Sequence, residues 1–180
     1  PDPGFWVPND YVVVKAAARG TSGSQGFVSP MSQQEAEDYY DVIEWAGTQP
    51  WSNGTVGLNG ISYYAMNQWQ VAALQPPHLA AMCVWEGAAD FYRDFIYHGG
   101  ILCTFGKAWF PGQAIKVQHG VGARGYRSQM TGDWVAGPLT LTQEELGANR
   151  RDFYEACLGN PLVTDAYWSE RNPDLSKITV

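Results

Sequence analysis

The sequence has little positive charge, few cysteines and no long hydrophobic run. Its 180 residues include 11 lysines and arginines against 18 aspartates and glutamates, a formal net charge of -7. Nucleic-acid binding depends on clustered basic residues, so this balance argues against a DNA or RNA partner. No apolar stretch approaches the roughly 20 residues of a membrane-spanning helix, and no membrane partner is expected. A charged-then-apolar signal segment is also missing, which favours a cytoplasmic location.

The residues that usually hold metals or cofactors are also scarce. Cys83, Cys103 and Cys157 are odd in number and widely spaced, which fits neither a disulfide framework nor a zinc knuckle. The Gly/Ser-rich loop at 16–26 lacks the final Gly-Lys-Ser/Thr of a phosphate-binding loop. We therefore predict no metal and no organic cofactor.

Hydrophobic residues make up 45% of the chain and aromatic residues 14%, which indicates a densely packed globule. The first half alternates strands and helices. The predicted elements are a strand at Tyr11–Val14, a helix from the capping box at Ser32 to before Pro50, a strand at Thr55–Asn59, a helix from Ser62 to about Leu74, and a strand at Leu79–Trp85. This order predicts an α/β fold, specifically a partial α/β-hydrolase core with a parallel sheet of three strands and flanking helices.

The second half differs in composition and is rich in glycine and aromatic residues. A short helix is predicted at Asp90–Tyr97, and a second capping box at Thr142 opens a helix to about Leu158, ended by Gly159. The tail from Asn160 is expected to be extended. We predict two regions, a hydrolase core at 1–88 and a mainly helical cap or lid at 89–180.

The stretch Gly60-Ile61-Ser62 leads from a predicted strand into a predicted helix. A sharp strand-to-helix turn exposes a serine hydroxyl above the sheet, where it can act as a nucleophile. The backbone N–H of Tyr63 would then be free to bind an oxyanion. The glycine is expected because the strand and helix backbones pass close together at such a turn.

Further candidate residues lie at the same edge of the predicted sheet. Trp85 and Glu86 fall at the carboxyl end of the next strand, where sites of parallel sheets form. With Tyr64, beside the turn, they are the candidate substrate-binding residues. Glu86 also begins an acidic cluster with Asp90 and Asp94, in which the interleaved Arg93 favours a salt-bridged structure over a metal site.

The chain offers three histidines as a catalytic base. His78 precedes a strand and should lie at the opposite sheet edge from Ser62, while His98 and His119 fall in the cap-like half. A triad of Ser62, Asp90 and His119 can be drawn. The chain order of α/β-hydrolases, however, places the acid and the histidine after two further strands.

Four blocks of the sequence resemble the cocaine-esterase / X-prolyl dipeptidyl-peptidase (CocE/NonD-type) family of α/β-hydrolases in order and spacing. They are Tyr11–Val14 running into Arg19-Gly20, Glu35–Trp45 with Gln49-Pro50-Trp51, Val56–Tyr63 with Gln68-Trp69-Gln70, and Trp85-Glu86-Gly87 with Asp90–Asp94. The chain looks like a central piece of such a hydrolase. It departs from the family at Ala17, usually aspartate, and at Ala65, usually glycine.

The resemblance implies that Ser62 is the nucleophile that forms an acyl-enzyme and that the Tyr63 N–H is one oxyanion donor. It also implies that the triad acid and histidine lie outside this chain. The expected function is hydrolysis of ester or X-Pro dipeptidyl-peptidase-like peptide bonds. The expected partners are a small ester or peptide, with the rest of the hydrolase chain or a second copy. The alternative is a non-catalytic fragment or decayed homologue, so activity of this chain alone is left open.

Overall fold

The computed structural model describes residues 2–180. The helices are α1 (Pro3–Trp6), α2 (Gln33–Gly47), α3 (Tyr63–Ala72), α4 (Phe105–Trp109), α5 (Gln143–Ala148), α6 (Phe153–Leu158) and α7 (Ala166–Ser169). The strands are β1 (Val56–Ile61), β2 (Leu79–Trp85), β3 (Tyr97–His98) and β4 (Ile101–Leu102). Wide single turns of π-helix form at Phe91–Ile96 and Phe110–Ala114. Across this part of the chain, none of the helices combines the length and apolarity needed to span a bilayer.

A parallel pair of strands forms the centre of the first half. β1 and β2 pair in parallel, with Leu58 opposite Met82 and Ile61 opposite Trp85, and α3 connects them. α2 packs against both α3 and β1. This parallel sheet with flanking helices confirms the predicted partial α/β-hydrolase fold.

Two apolar cores hold these elements. The smaller core lies between α2, α3 and the sheet, and its buried residues are Ile43, Leu58, Val71, Ala72 and Leu79. The larger core is mainly aromatic, and its buried members include Met31, Met66, Phe91, Phe110, Phe153, Tyr167 and Trp168. Because the larger core takes residues from both sides of position 88, the two regions pack together, and their division stays a prediction.

The predicted strand at Tyr11–Val14 is not formed. The segment has no regular secondary structure, and Tyr11 and Val12 are 58% and 60% exposed. A strand exists only where a neighbouring backbone exchanges hydrogen bonds with it, and within residues 2–180 nothing pairs with this segment. The parallel sheet described here therefore has two strands instead of three.

The long helix predicted from Thr142 is divided into α5 and α6. The capping box itself is confirmed, since the Thr142 hydroxyl accepts from the Glu145 N–H and the Glu145 carboxylate accepts from the Thr142 N–H. The first helix ends at Ala148, where the backbone turns to Val28: the Val28 N–H donates to the Asn149 carbonyl and the Arg151 N–H donates to the Val28 carbonyl. Asp152 then starts a second helix, its carboxylate accepting from the Glu155 N–H. Gly159 ends that helix as predicted.

The tail after Asn160 was expected to be extended, and it is instead partly helical. It contains α7, whose Trp168 is buried in the larger core and donates its indole N–H to the Asn160 carbonyl oxygen. The segment is helical here, despite its prolines, because the apolar pair Tyr167 and Trp168 is buried and fixes it against the core.

Replacing Ile43 with alanine tests the role of the smaller core. Ile43 is 1% exposed between α2 and the sheet, so Ile43→Ala should lower the free energy of unfolding by about 2–5 kcal/mol. The matched control is Ile101→Ala, because Ile101 is 76% exposed and its truncation should cost less than about 1 kcal/mol. Urea denaturation measures both, and equal losses would contradict the assignment of the core.

Candidate active site

Ser62 lies between the end of β1 and the start of α3 in a strained backbone conformation. Its φ of 59° and ψ of −117° are rarely adopted by non-glycine residues and cost on the order of 1–3 kcal/mol. The Ser62 N–H donates to the Trp85 carbonyl oxygen, and its own carbonyl accepts from Ala65 and Met66. Because Ser62 is exposed, this turn presents its hydroxyl to solvent.

Two glycines allow the turn to be this tight. A Cβ on Gly60 would lie 2.4 Å from the Tyr64 Cβ and 2.8 Å from the Tyr64 carbonyl oxygen. A Cβ on Gly87 would lie 2.8 Å from the Cβ of Ala65. The fully buried Ala65 methyl, which stands where the family usually has glycine, therefore fits because the facing residue is itself glycine. The backbones of β1 and α3 therefore lie close together at this turn, as predicted from the sequence.

The N-terminus of α3 supplies backbone donors next to the Ser62 hydroxyl. The first N–H groups of a helix have no carbonyl one turn earlier to bond, and no side chain caps this helix. The N–H groups of Tyr63 and Tyr64 are therefore available to a ligand. The helix dipole adds partial positive charge at the same point.

The Tyr63 side chain turns away from the surface and meets a carboxylate. Its hydroxyl lies 2.7 and 2.6 Å from the two carboxylate oxygens of Glu35, which also accepts from the Met31 N–H at 2.7 Å. Burial, reinforced by the Glu35 charge, raises the pKa of Tyr63 well above its ordinary value, so the phenol stays protonated and donates. Burial likewise raises the pKa of Glu35, against the opposing effect of these hydrogen bonds.

Because of this contact, only the Ser32 half of the first predicted capping box is formed. Ser32 caps α2 as predicted, its hydroxyl accepting from the Glu35 N–H at 3.3 Å. The Glu35 carboxylate, however, bonds Met31 and Tyr63. Sequence reasoning treated Glu35 as a capping residue and missed its contact with the turn, because its partner is 28 positions away.

The candidate substrate-binding residues lie beside the turn. Tyr64 and Trp85 are 71% and 59% exposed, and Trp85 is tied to β1 by its indole N–H, which donates to the Asn59 side-chain oxygen at 2.9 Å. Glu86 follows with a φ of 49°, a second strained non-glycine residue at the same sheet edge. The fold thus gathers all three around Ser62, on a surface that is open instead of enclosed.

None of the three histidines bonds to Ser62 in residues 2–180. His78 lies at the opposite end of the sheet, as predicted, with its Nδ1 2.7 Å from Glu44. The Nε2 of His98 lies 2.6 Å from the Asp94 carbonyl oxygen, and the Nδ1 of His119 lies 3.0 Å from the Ser22 carbonyl oxygen. The triad drawn from Ser62, Asp90 and His119 is therefore not assembled.

Two of the three members of the acidic cluster, Asp90 and Asp94, make structural contacts, and Asp90 pairs with the interleaved Arg93 as predicted. Asp90 caps the π-helical turn and pairs with Arg93, and Asp94 accepts the N–H groups of Ala89 and Asp90. Across the part of the chain that the structure describes, no group of three potential ligands could hold a metal ion. Glu86 takes no part in these contacts.

A parallel sheet whose strand runs through a strained serine into a helix defines the α/β-hydrolase class. The family model described as X-Pro dipeptidyl-peptidase (S15 family) matches residues 2–180. The chain therefore belongs to this family, and the resemblance predicted from its sequence blocks is confirmed.

Known relatives agree with this membership. The cocaine esterase of Rhodococcus sp. (strain MB1 Bresler) is 36% identical over 114 residues, which cover 63% of this chain and 17% of that protein. Two crystal structures of a CocE/NonD family hydrolase from Staphylococcus aureus match with a TM-score of 0.77 and 47% identity. These matches cover 100% of this chain and 28% of that hydrolase. The chain thus spans well under a third of the relatives' length.

Gly60→Ala tests the close approach at the turn. The added methyl would collide with the Tyr64 backbone, so the variant should lose about 1–3 kcal/mol of unfolding free energy. Gly57→Ala in the same strand is the control, because the nearest atom to its Cβ, the Ala81 carbonyl oxygen, is 4.0 Å away. Equal stability of the two variants in urea denaturation would contradict the close approach, because it would show that a methyl group fits between β1 and α3 at Gly60.

Glu35→Gln tests the buried carboxylate. The folded state holds a proton on Glu35 at pH values where the unfolded chain has lost it, so wild-type stability should fall as pH rises through this window. Glutamine does not titrate, and the stability of Glu35→Gln relative to wild type should therefore increase with pH and then level off. Urea titrations between about pH 4 and 8 measure the difference, with Glu37→Gln as control. Asp38 and Tyr63 are the titratable groups next to Glu35. If the difference in unfolding free energy between Glu35→Gln and wild type does not change with pH, the prediction is wrong.

Proposed function

We propose that this chain carries the nucleophile of a serine hydrolase that acts through an acyl-enzyme on Ser62. The observation that carries the proposal is the backbone of Ser62, held in a strained conformation at an uncapped helix N-terminus with its side chain exposed. Strain of this kind persists only where the surrounding structure fixes it, and it concentrates at functional sites.

The chemistry follows from the position of the hydroxyl. A histidine base takes the proton from Ser62 Oγ as the oxygen attacks the acyl carbon and the carbonyl electron pair moves onto its oxygen. The Tyr63 N–H stabilises that oxyanion, and the collapse of the intermediate expels a protonated alcohol or amine. Water, deprotonated by the same base, then releases the acid and restores Ser62.

The acid and the histidine of this triad are proposed to lie outside these 180 residues. Two observations support the proposal. The three histidines present bind Glu44, the Asp94 carbonyl and the Ser22 carbonyl instead of Ser62. The chain also matches only 28% of the length of the Staphylococcus aureus hydrolase. The catalytic partner of this segment is then the remainder of the hydrolase.

The substrate class is proposed to be a small ester or a peptide with proline in second position. The relative's name, cocaine esterase, favours the ester, and the family description favours the peptide. The exposed rings of Tyr64 and Trp85 beside Ser62 support an apolar acyl or prolyl group in either case. Glu86, at the same edge, is a candidate contact to the polar part of the substrate.

The alternative is a decayed or non-catalytic segment that keeps the fold alone. It is favoured by one observation, the open surface around Ser62, where Trp85 and Tyr64 are largely uncovered. Whether the segment is catalytic or not, a second copy or the rest of the hydrolase chain would cover this surface.

A fluorophosphonate probe separates these functions. We expect the probe to label Ser62 in a longer natural form that includes the flanking sequence, and the isolated 180 residues to react at least about 100-fold more slowly, because the base is missing. Ser62→Ala should abolish labelling, and Ser169→Ala, an exposed serine at the end of α7, should leave it unchanged. A longer form that stays unlabelled would establish the non-catalytic alternative.

A further inference from the structure

We propose that Glu35 is a positioning residue for the candidate nucleophile. Its carboxylate holds the Tyr63 side chain and thereby fixes the direction of the Tyr63 backbone N–H beside Ser62. This inference rests on the proposed function, in which that N–H stabilises an oxyanion. It adds a residue on another helix, Glu35 of α2, which keeps the N–H in the direction that this stabilisation needs.

The contact is short and fixes the Tyr63 ring from two directions. The single O–H proton of Tyr63 is shared between carboxylate oxygens at 2.7 and 2.6 Å. The ring also stacks on Trp109, with centroids 5.7 Å apart and planes 25° apart. Stacking alone lets a ring slide in its plane, and the hydrogen bond at its tip prevents this movement.

A fixed Tyr63 ring fixes the turn because Tyr63 is the first residue of α3. Its backbone joins directly to Ser62, where the chain is strained at a φ of 59°. Any rotation that relaxed Ser62 would swing the Tyr63 Cα, and with it the side chain, away from Glu35. The carboxylate therefore opposes relaxation of the turn, in addition to the Trp85 carbonyl, which holds the Ser62 N–H.

Met31 shows that the anchor is itself held firmly. This buried residue has a φ of 56°, unusual for a large side chain, and its N–H donates to Glu35 at 2.7 Å. Its carbonyl oxygen accepts from the Gln70 side chain at 2.9 Å. Gln70 lies two turns after Tyr63 in α3. The Met31 N–H also lies 3.3 Å from the Tyr63 hydroxyl, so one loop residue contacts that helix at Gln70 and, both directly and through Glu35, at Tyr63. α3 is thus attached at two separated points to the loop that leads into α2.

The proposal is tested in the longest natural form of the protein, by its fluorophosphonate labelling rate and its steady-state hydrolysis of p-nitrophenyl butyrate. Glu35→Ala removes the acceptor and should lower kcat and the labelling rate about 10- to 100-fold, with KM changed less than about threefold. Glu35→Gln keeps a carbonyl oxygen for the Tyr63 hydroxyl and should stay within about fivefold of wild type. Glu37→Ala, an exposed glutamate on the same helix, is the matched control.

A double-mutant cycle adds a readout that a purely structural role would not produce. Tyr63→Phe should lower kcat at least as much as Glu35→Ala, since it also removes the acceptor of the Met31 N–H, and the double variant should be no slower than Tyr63→Phe, because both changes remove the Glu35–Tyr63 contact. Additive losses in the cycle would overturn the proposal. Equal loss of kcat in Glu35→Gln and Glu35→Ala would also do so, since it would show that the charge and not the positioning contact matters.

The role of Glu35 can be tested even if the proposed function of Ser62 fails. If the wild-type protein is not labelled, the proposed function fails, and amide hydrogen exchange still tests the anchor. Exchange at the Ala65 and Met66 amides, which donate to the Ser62 carbonyl oxygen, should be at least about tenfold faster in Glu35→Ala than in Glu37→Ala, because the first turn of α3 loses its tether. Should Glu35→Ala not fold, Tyr63→Phe gives the same comparison. Unchanged exchange at these amides would overturn the proposal.

Discussion

The strained backbone of Ser62 is the constraint on which the rest of this segment depends. A non-glycine residue at a φ of 59° relaxes unless its neighbours prevent it. Here the carbonyl of Trp85 holds the Ser62 N–H on the sheet side. On the helix side the absence of side chains at Gly60 and Gly87 lets α3 lie directly against the strands. The turn is thus a product of the sheet, two glycines and one helix acting together.

Buried polar side chains on α3 explain why the Gln-Trp-Gln sequence is so distinctive. Gln68 is fully buried and donates to the Tyr64 carbonyl oxygen one turn earlier. Gln70 donates both to the Met31 carbonyl oxygen and to the Arg171 carbonyl oxygen, each at 2.9 Å. Buried hydrogen bonds are directional in a way that apolar contacts are not. The two Gln70 bonds, which reach residues outside the helix, fix the rotation of α3 about its own axis, and so the direction in which its first N–H groups point.

The surface around the turn is open and aromatic. Ile61, Tyr64 and Trp85 are all more than half exposed, and the apolar segment Tyr11–Val14 is largely exposed elsewhere. Within residues 2–180 the parallel sheet has two strands, and the outer backbone edges of β1 and β2 have no strand partner there. Residues 2–180 place the exposed Ser62 at the start of α3, and none of the histidines among them bonds to it.

The sequence by itself determined the features that neighbouring residues control. The caps at Ser32 and Thr142, the strand at Leu79–Trp85, and the glycine needed before the serine all follow from contacts within a few positions. The family membership followed as well, since four such local blocks recur in order. These predictions succeeded because caps, turns and short apolar runs carry their physical cause in adjacent residues.

Only the tertiary structure decided the features that distant residues control. Within residues 2–180 it left Tyr11–Val14 without a partner strand, buried Trp168 in a tail that was expected to be extended, and brought Glu35 to Tyr63. It also directed each histidine to a partner other than Ser62. Pairing, burial and long-range hydrogen bonds depend on which elements meet in space, and local sequence does not contain that information.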